Sequence, residues 1–104
     1  MTDVDLTVFL REIGETGVQI LDVRTPAEFS AGHLVGAVNI DVQSDDFDKR
    51  IDGLDRSKTY AVYCRAGRRS TIAAEKLGYS GFNKVINLSR GGFEELKEAG
   101  AQTE

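Results

Sequence analysis

Short runs of β-branched and aromatic residues alternate with stretches of helical spacing along nearly the whole chain. Val18–Val23, Ala37–Ile40, Thr59–Tyr63 and Lys84–Leu88 read as strands. Each is separated from the next by a helical or turn-rich segment rather than by a tight hairpin. Parallel neighbours need such crossovers, and a sheet built from them is covered on both faces. The alternation therefore predicts an α/β fold with a mainly parallel sheet. With 104 residues, the chain has material for one core, so a single domain over 1–104 is expected.

The helical segments carry their own signals. Leu6, Phe9, Leu10 and Ile13 lie at i, i+3, i+4 and i+7, one apolar face, with Asp5 as N-cap and Gly14 and Gly17 closing the helix. Thr25-Pro26-Ala27-Glu28 is a capping box with Pro at the first helical position, and Gly32 ends that helix. Ser44 to Ile51 predicts an acidic surface helix; Asp45, Asp46 and Asp48 are expected to be solvated. From Ser70 a helix is expected with Ile72, Ala73 and Leu77 on its apolar face and Gly78 near its end. A final amphipathic helix runs from Gly92 to Ala99.

Composition excludes several functions. One Cys and one His rule out a disulfide framework and a closed Cys/His zinc site, so no metal is expected. The N-terminus lacks a signal sequence and no run is long enough to span a bilayer, which predicts a cytoplasmic protein with no membrane partner. Charge is unevenly spread. Residues 1–55 carry four Lys/Arg against twelve Asp/Glu, whereas residues 56–90 carry eight Lys/Arg against Glu75 alone. A basic block in an acidic chain points to a local anion site. The block lacks the interleaved aromatics of a nucleic-acid stacking surface, so no nucleic-acid partner is expected.

That block contains Cys64. In parallel sheets ligands gather at the carboxyl ends of strands, and Cys64 directly follows the strand Thr59–Tyr63. A Cys there is by default a small buried hydrophobe. Here it is followed by Arg65-Ala66-Gly67-Arg68-Arg69-Ser70 and a helix, whose free N–H groups and positive dipole end favour an anion. Gly67 allows the backbone to turn so that successive amides converge. Cys64 is therefore a candidate nucleophile with a thiol pKa below the ordinary value of about 8.5.

The sequence resembles the rhodanese-like domains, the thiosulfate sulfurtransferase family. Leu21-Asp22-Val23-Arg24-Thr25-Pro26-Ala27-Glu28-Phe29 and Gly32-His33-Leu34-Val35-Gly36-Ala37 are similar to the family's upstream signature, and Tyr63–Ser70 to its active-site loop. Ala73-Ala74, Leu77-Gly78-Tyr79, Gly81-Phe82 and Gly91-Gly92-Phe93 follow in family order. The resemblance implies a three-layer fold with a sheet of about four to five strands and helices on both faces. It also implies that Cys64 carries the sulfur as a persulfide, that Arg65, Ala66, Gly67, Arg68, Arg69 and Ser70 form the loop around it, and that Asp22, Arg24 and His33 support the structure. Members often have Trp a few residues after the Gly-Gly pair; this chain has Leu96, which can fill an apolar pocket.

The chemistry implied is sulfane-sulfur transfer without a cofactor. Thiosulfate is the donor suggested by a basic loop; cyanide, a small thiol or a protein thiol would be the acceptor. With no second Cys the sulfur has to leave the chain, which is expected to be a monomer. Two alternatives stand beside turnover. One is a persulfide carrier or binding module that depends on another protein. The other is a phosphatase or arsenate reductase of related fold, whose loops place five residues between Cys and Arg. Only four separate Cys64 from Arg69, a narrower cradle that suits one sulfur atom better than a tetrahedral oxyanion.

Overall fold

A computed structural model describes all residues, 1–104. Its elements are β1 (Thr2–Val4), α1 (Leu6–Ile13), β2 (Val18–Asp22), α2 (Pro26–Ala31), β3 (Val38–Asn39), α3 (Phe47–Asp52), β4 (Thr59–Tyr63), α4 (Arg68–Tyr79), β5 (Lys84–Leu88) and α5 (Phe93–Glu98). The five strands form one parallel sheet in the order β1-β5-β4-β2-β3. From β2 the sheet extends outward to β3, and from β4 it extends the other way to β5. The carboxyl end of central β4 thus lies at a topological switch point, where open parallel sheets leave a crevice.

Side chains alternate across the sheet, and two clusters of buried apolar residues result. Tyr60, Val62 and Cys64 face the layer supplied by Phe47 and Ile51 of α3 and Ala73, Ala74 and Leu77 of α4. Ala61 and Tyr63 face Phe9 of α1 and Phe93 and Leu96 of α5. Leu96 is fully buried and fills the pocket expected of it. No helix is long and apolar enough to cross a membrane.

The expected caps are present. Asp5 accepts from the Val8 N–H at 2.9 Å, and Thr25 and Glu28 exchange the reciprocal bonds of a capping box. Five departures are informative. β1 was not foreseen: its three residues have no hydrophobic alternation and pair only with β5. The strand expected over Ala37–Ile40 keeps only Val38–Asn39. The acidic helix begins at Phe47 rather than Ser44, and it is anchored by Phe47 and Ile51, both buried. α4 begins two residues before Ser70, at Arg68, capped by the backbone of Gly67 rather than by a side chain. Ile72 is 43% exposed and lies off the apolar face, which Ser70, Ala73, Ala74 and Leu77 form instead.

Candidate active site

The site begins where β4 stops. Cys64 is 1% exposed, and its carbonyl accepts from the Phe93 N–H at 3.0 Å. Gly67 adopts φ 106°, a left-handed conformation, and opens α4. Its N–H thereby turns back and donates to Cys64 Sγ at 3.1 Å. A Cβ at Gly67 would overlap the Ser89 carbonyl, and a Cβ at Gly92 would overlap the carbonyls of Cys64 and Arg65. These two glycines let the end of β5 and the start of α5 close against the loop, a requirement of approach that spacing alone does not reveal.

Burial pushes the Cys64 thiol up. Hydrogen bonds from the Ser70 hydroxyl and from the N–H groups of Ser70, Gly67 and Ala66 outweigh it, and the thiol ionises below its ordinary value. The sulfur thus lies at the start of α4, where the Gly67 N–H and its neighbours favour the ionised form.

The three loop arginines are placed differently from one another. Arg65 and Arg68 are exposed, Arg68 in the first turn of α4. Arg69 turns to Glu28 of α2 and gives it two bonds, at 2.7 and 3.0 Å. The Arg69 guanidinium, helped by the Thr25 N–H and hydroxyl, holds the Glu28 carboxyl at about 2. Arg69 is correspondingly stabilised in its charged form by Glu28 and, more weakly, by Cys64. Its charge is thus paired with a carboxylate of α2. Glu28 was expected only as a capping residue; no local pattern signals a partner on α4.

Asp22 and Arg24 lie at the end of β2 as a buried pair with an N–O distance of 2.7 Å. Arg24 also donates to the Gly32 carbonyl at 2.6 Å and lies over the Phe93 ring, 4.6 Å from its centroid. The Tyr63 hydroxyl donates to Asp22 at 2.6 Å and accepts from the Leu34 N–H at 3.1 Å. This network ties β2, β4, the segment after α2 and α5 together beneath the loop. His33 makes its contacts with α2 and the C-terminal residue. Its Nδ1 lies 2.8 Å from the Phe29 carbonyl, its ring stacks on Phe29, and its Nε2 lies 3.3 Å from Glu104.

Beside the loop is a cavity of about 200 Å³ lined by Arg24, Glu28, Gly32, Arg65, Phe93 and other residues. An apolar cleft of about 400 Å³ lies between α1 and the C-terminal segment, lined by Leu10, Ile13, Ile20, Leu34 and Ala101 among others, with no ionisable side chain. No cluster of three or more His, Cys, Asp or Glu is arranged to hold a metal ion.

A model of the rhodanese-like domain matches residues 5–99. The chain is 32% identical over 90 residues to the putative sulfur carrier protein YrkF of Bacillus subtilis, covering 86% of this chain and 48% of YrkF; it thus spans about half of that relative's length. It is 37% identical over 86 residues to the thiosulfate sulfurtransferase GlpE of Pseudomonas aeruginosa, covering 82% of this chain and 74% of GlpE. Among solved structures, the rhodanese-like domain of Alr3790 from Anabaena sp. superposes with a TM-score of 0.84 at 30% identity, covering all of this chain and 79% of that one.

Proposed function

The chain belongs to the rhodanese-like domain family, and from that premise we propose that it is a sulfurtransferase that takes a sulfane sulfur from thiosulfate onto Cys64 and passes it to a thiol. The observation that carries this reading is the buried Cys64 sulfur with the Gly67 N–H 3.1 Å away, among further donors that lower its ionisation.

The Cys64 thiolate attacks the outer sulfur of thiosulfate. The new S–S bond forms as the old one breaks, and sulfite leaves with the bonding pair. The persulfide then rests among the N–H groups of Ala66, Gly67 and Ser70, donors able to stabilise negative charge on either sulfur. An acceptor thiolate, or cyanide in an assay, attacks the outer sulfur and returns Cys64 to thiolate. Electrons balance without metal or organic cofactor. Arg65 and Arg68 supply positive charge along the anion's approach, and the cavity beside Arg65 has room for a small dianion. Asp22, Arg24 and His33 act by holding the framework. Since Cys64 is the one Cys among these 104 residues, the acceptor thiol lies outside them.

A carrier role, in which a partner protein accepts the sulfur, is favoured over a phosphatase role by two observations. The relative YrkF is described as a sulfur carrier, and Arg69, the arginine closest in spacing to that of a phosphatase loop, is bonded to Glu28.

Intact-protein mass spectrometry after brief exposure to thiosulfate tests the proposal. Wild type should gain one sulfur and Cys64→Ser none. Persulfide formation with poor turnover toward small thiols would identify a carrier; no gain on wild type would overturn the thiosulfate reading.

A further inference from the structure

The cavity beside the loop is lined by the ionisable side chains of Arg24, Glu28, Arg65 and Glu94. Two of them are already matched within the protein. Arg24 gives its guanidinium to both oxygens of Asp22 and to the Gly32 carbonyl. Glu28 accepts two bonds from Arg69. Arg65 and Glu94 are exposed and take part in none of the ion pairs of the molecule.

The backbone holds these two residues on adjoining segments. The Phe93 N–H donates to the Cys64 carbonyl at 3.0 Å, which joins the chain one position before Arg65 to the chain one position before Glu94. Glu94 and Glu95 both stand in the first turn of α5. Glu95 is occupied there, accepting the Gly92 N–H at 2.8 Å, whereas the Glu94 carboxylate is left to the cavity.

With Arg24 and Glu28 neutralised by their partners, the cavity presents one free cation and one free anion. Arg65 suits a dianionic donor, but Glu94 opposes it, since like charges brought together cost binding energy. A ligand that bears both a carboxylate and an ammonium satisfies the two together. The space of about 200 Å³ falls below the roughly 300–1,000 Å³ of sites for drug-sized ligands. It suits a molecule the size of one amino acid.

We propose that Arg65 and Glu94 select the sulfur acceptor: a zwitterionic amino-acid thiol, its carboxylate held at Arg65 and its ammonium at Glu94. The inference rests on the sulfur-transfer reading of Cys64 and names the class of its acceptor. The acceptor thiolate attacks the outer sulfur of the Cys64 persulfide. A new S–S bond forms as the bond to Cys64 breaks, and Cys64 keeps the bonding pair as a thiolate. The product is the persulfide of the amino acid, and no oxidant or reductant is consumed. Donor and acceptor occupy the cavity in turn, so Arg65 serves both half-reactions and Glu94 the second alone.

The test loads Cys64 with inorganic polysulfide, which hands over a terminal sulfur and leaves one sulfur shorter. Discharge of the isolated persulfide is then followed in single turnovers with cysteine, cysteamine and 3-mercaptopropionate. These share one carbon frame and carry both charged groups, the ammonium alone and the carboxylate alone. Each variant is compared with wild type on the same thiol, so differences in intrinsic nucleophilicity cancel. Glu94→Gln should slow discharge to cysteine and cysteamine about two- to fivefold at low ionic strength, without slowing 3-mercaptopropionate. Arg65→Gln should slow cysteine and 3-mercaptopropionate and spare cysteamine, while Glu94→Asp should keep the wild-type order. Equal effects of Glu94→Gln on all three thiols, as a purely structural role would give, would overturn the inference, as would unchanged discharge to cysteine. A loaded wild type that yields sulfur to none of the three would overturn it too and leave the carrier reading. A wild type that loads from polysulfide but not from thiosulfate, and shows this charge preference, would defeat the thiosulfate proposal and leave this one standing.

Discussion

Arg69 and Glu28, 41 positions apart in sequence, meet through two hydrogen bonds of 2.7 and 3.0 Å. The pair joins the first turn of α4, next to the nucleophile, to the capping box of α2. Arg69 of the basic loop thus forms a strut between two helix N-termini.

Glu28→Gln tests that strut. The carboxyl is held at about 2, below its unfolded value of about 4.3, so its stabilisation is complete above that value and is lost as pH falls toward 2. With both side chains partly exposed, the cost at pH 7 is about 1–2 kcal/mol. Urea unfolding should show the two proteins apart at pH 7 and converging as pH falls. Equal stability at pH 7 would remove the pair as a stabiliser.

Gly67→Ala and Gly92→Ala separate two effects. At Gly67 a side chain meets both a left-handed backbone and the Ser89 carbonyl, so melting should reveal a loss of at least about 2 kcal/mol. Gly92 has extended backbone and only the overlap with Cys64 and Arg65. Its loss should be about 1–3 kcal/mol, with a displaced loop and a raised alkylation midpoint.

Tyr63→Phe removes a donor to Asp22 and leaves the buried Leu34 N–H without its acceptor. Denaturant unfolding should register about 1–3 kcal/mol. A loss within error would mean that water replaces the hydroxyl.

Thiol reactivity has a defined sign with pH. Cys64 ionises below its ordinary value, so the alkylation midpoint should lie under about 8.5, reactivity being lost as pH falls through it. The ionised thiol also stabilises the fold above the unfolded value and ceases to do so as pH falls through the lowered one. Cys64→Ser should lack that pH dependence of stability. A midpoint at or above the ordinary value would remove the premise of a poised thiolate.

Arg68→Ala should slow persulfide formation from thiosulfate about two- to fivefold at low ionic strength and less at high salt. A rate unaffected at either salt would show that the exposed cation does not guide the donor.

What could be read from sequence was whatever is decided locally. The capping box of Thr25 and Glu28, the apolar face of α1, and β4 ending at Cys64 depend on neighbours within a few positions. β1 was illegible because a three-residue edge strand is defined by its partner: Asp3 stands opposite Asn87 in register, a pairing no periodicity reports. The early start of α4 was missed because Gly67 caps it with backbone, without a side-chain signal. Cys64 and its loop were legible as a motif. The pairing of Glu28 with Arg69 was not, since it exists only after the sheet has assembled.

The surroundings of Cys64 are supplied late along the chain. The Phe93 N–H binds its carbonyl, Gly92 makes room against it and Ser89 walls in Gly67, while Leu88 bonds Ser70. During synthesis from the N-terminus, a chain that has emerged only as far as α4 lacks all four of these contacts. The packing that closes around Cys64 is thus completed only by the last quarter of the sequence, β5 and α5.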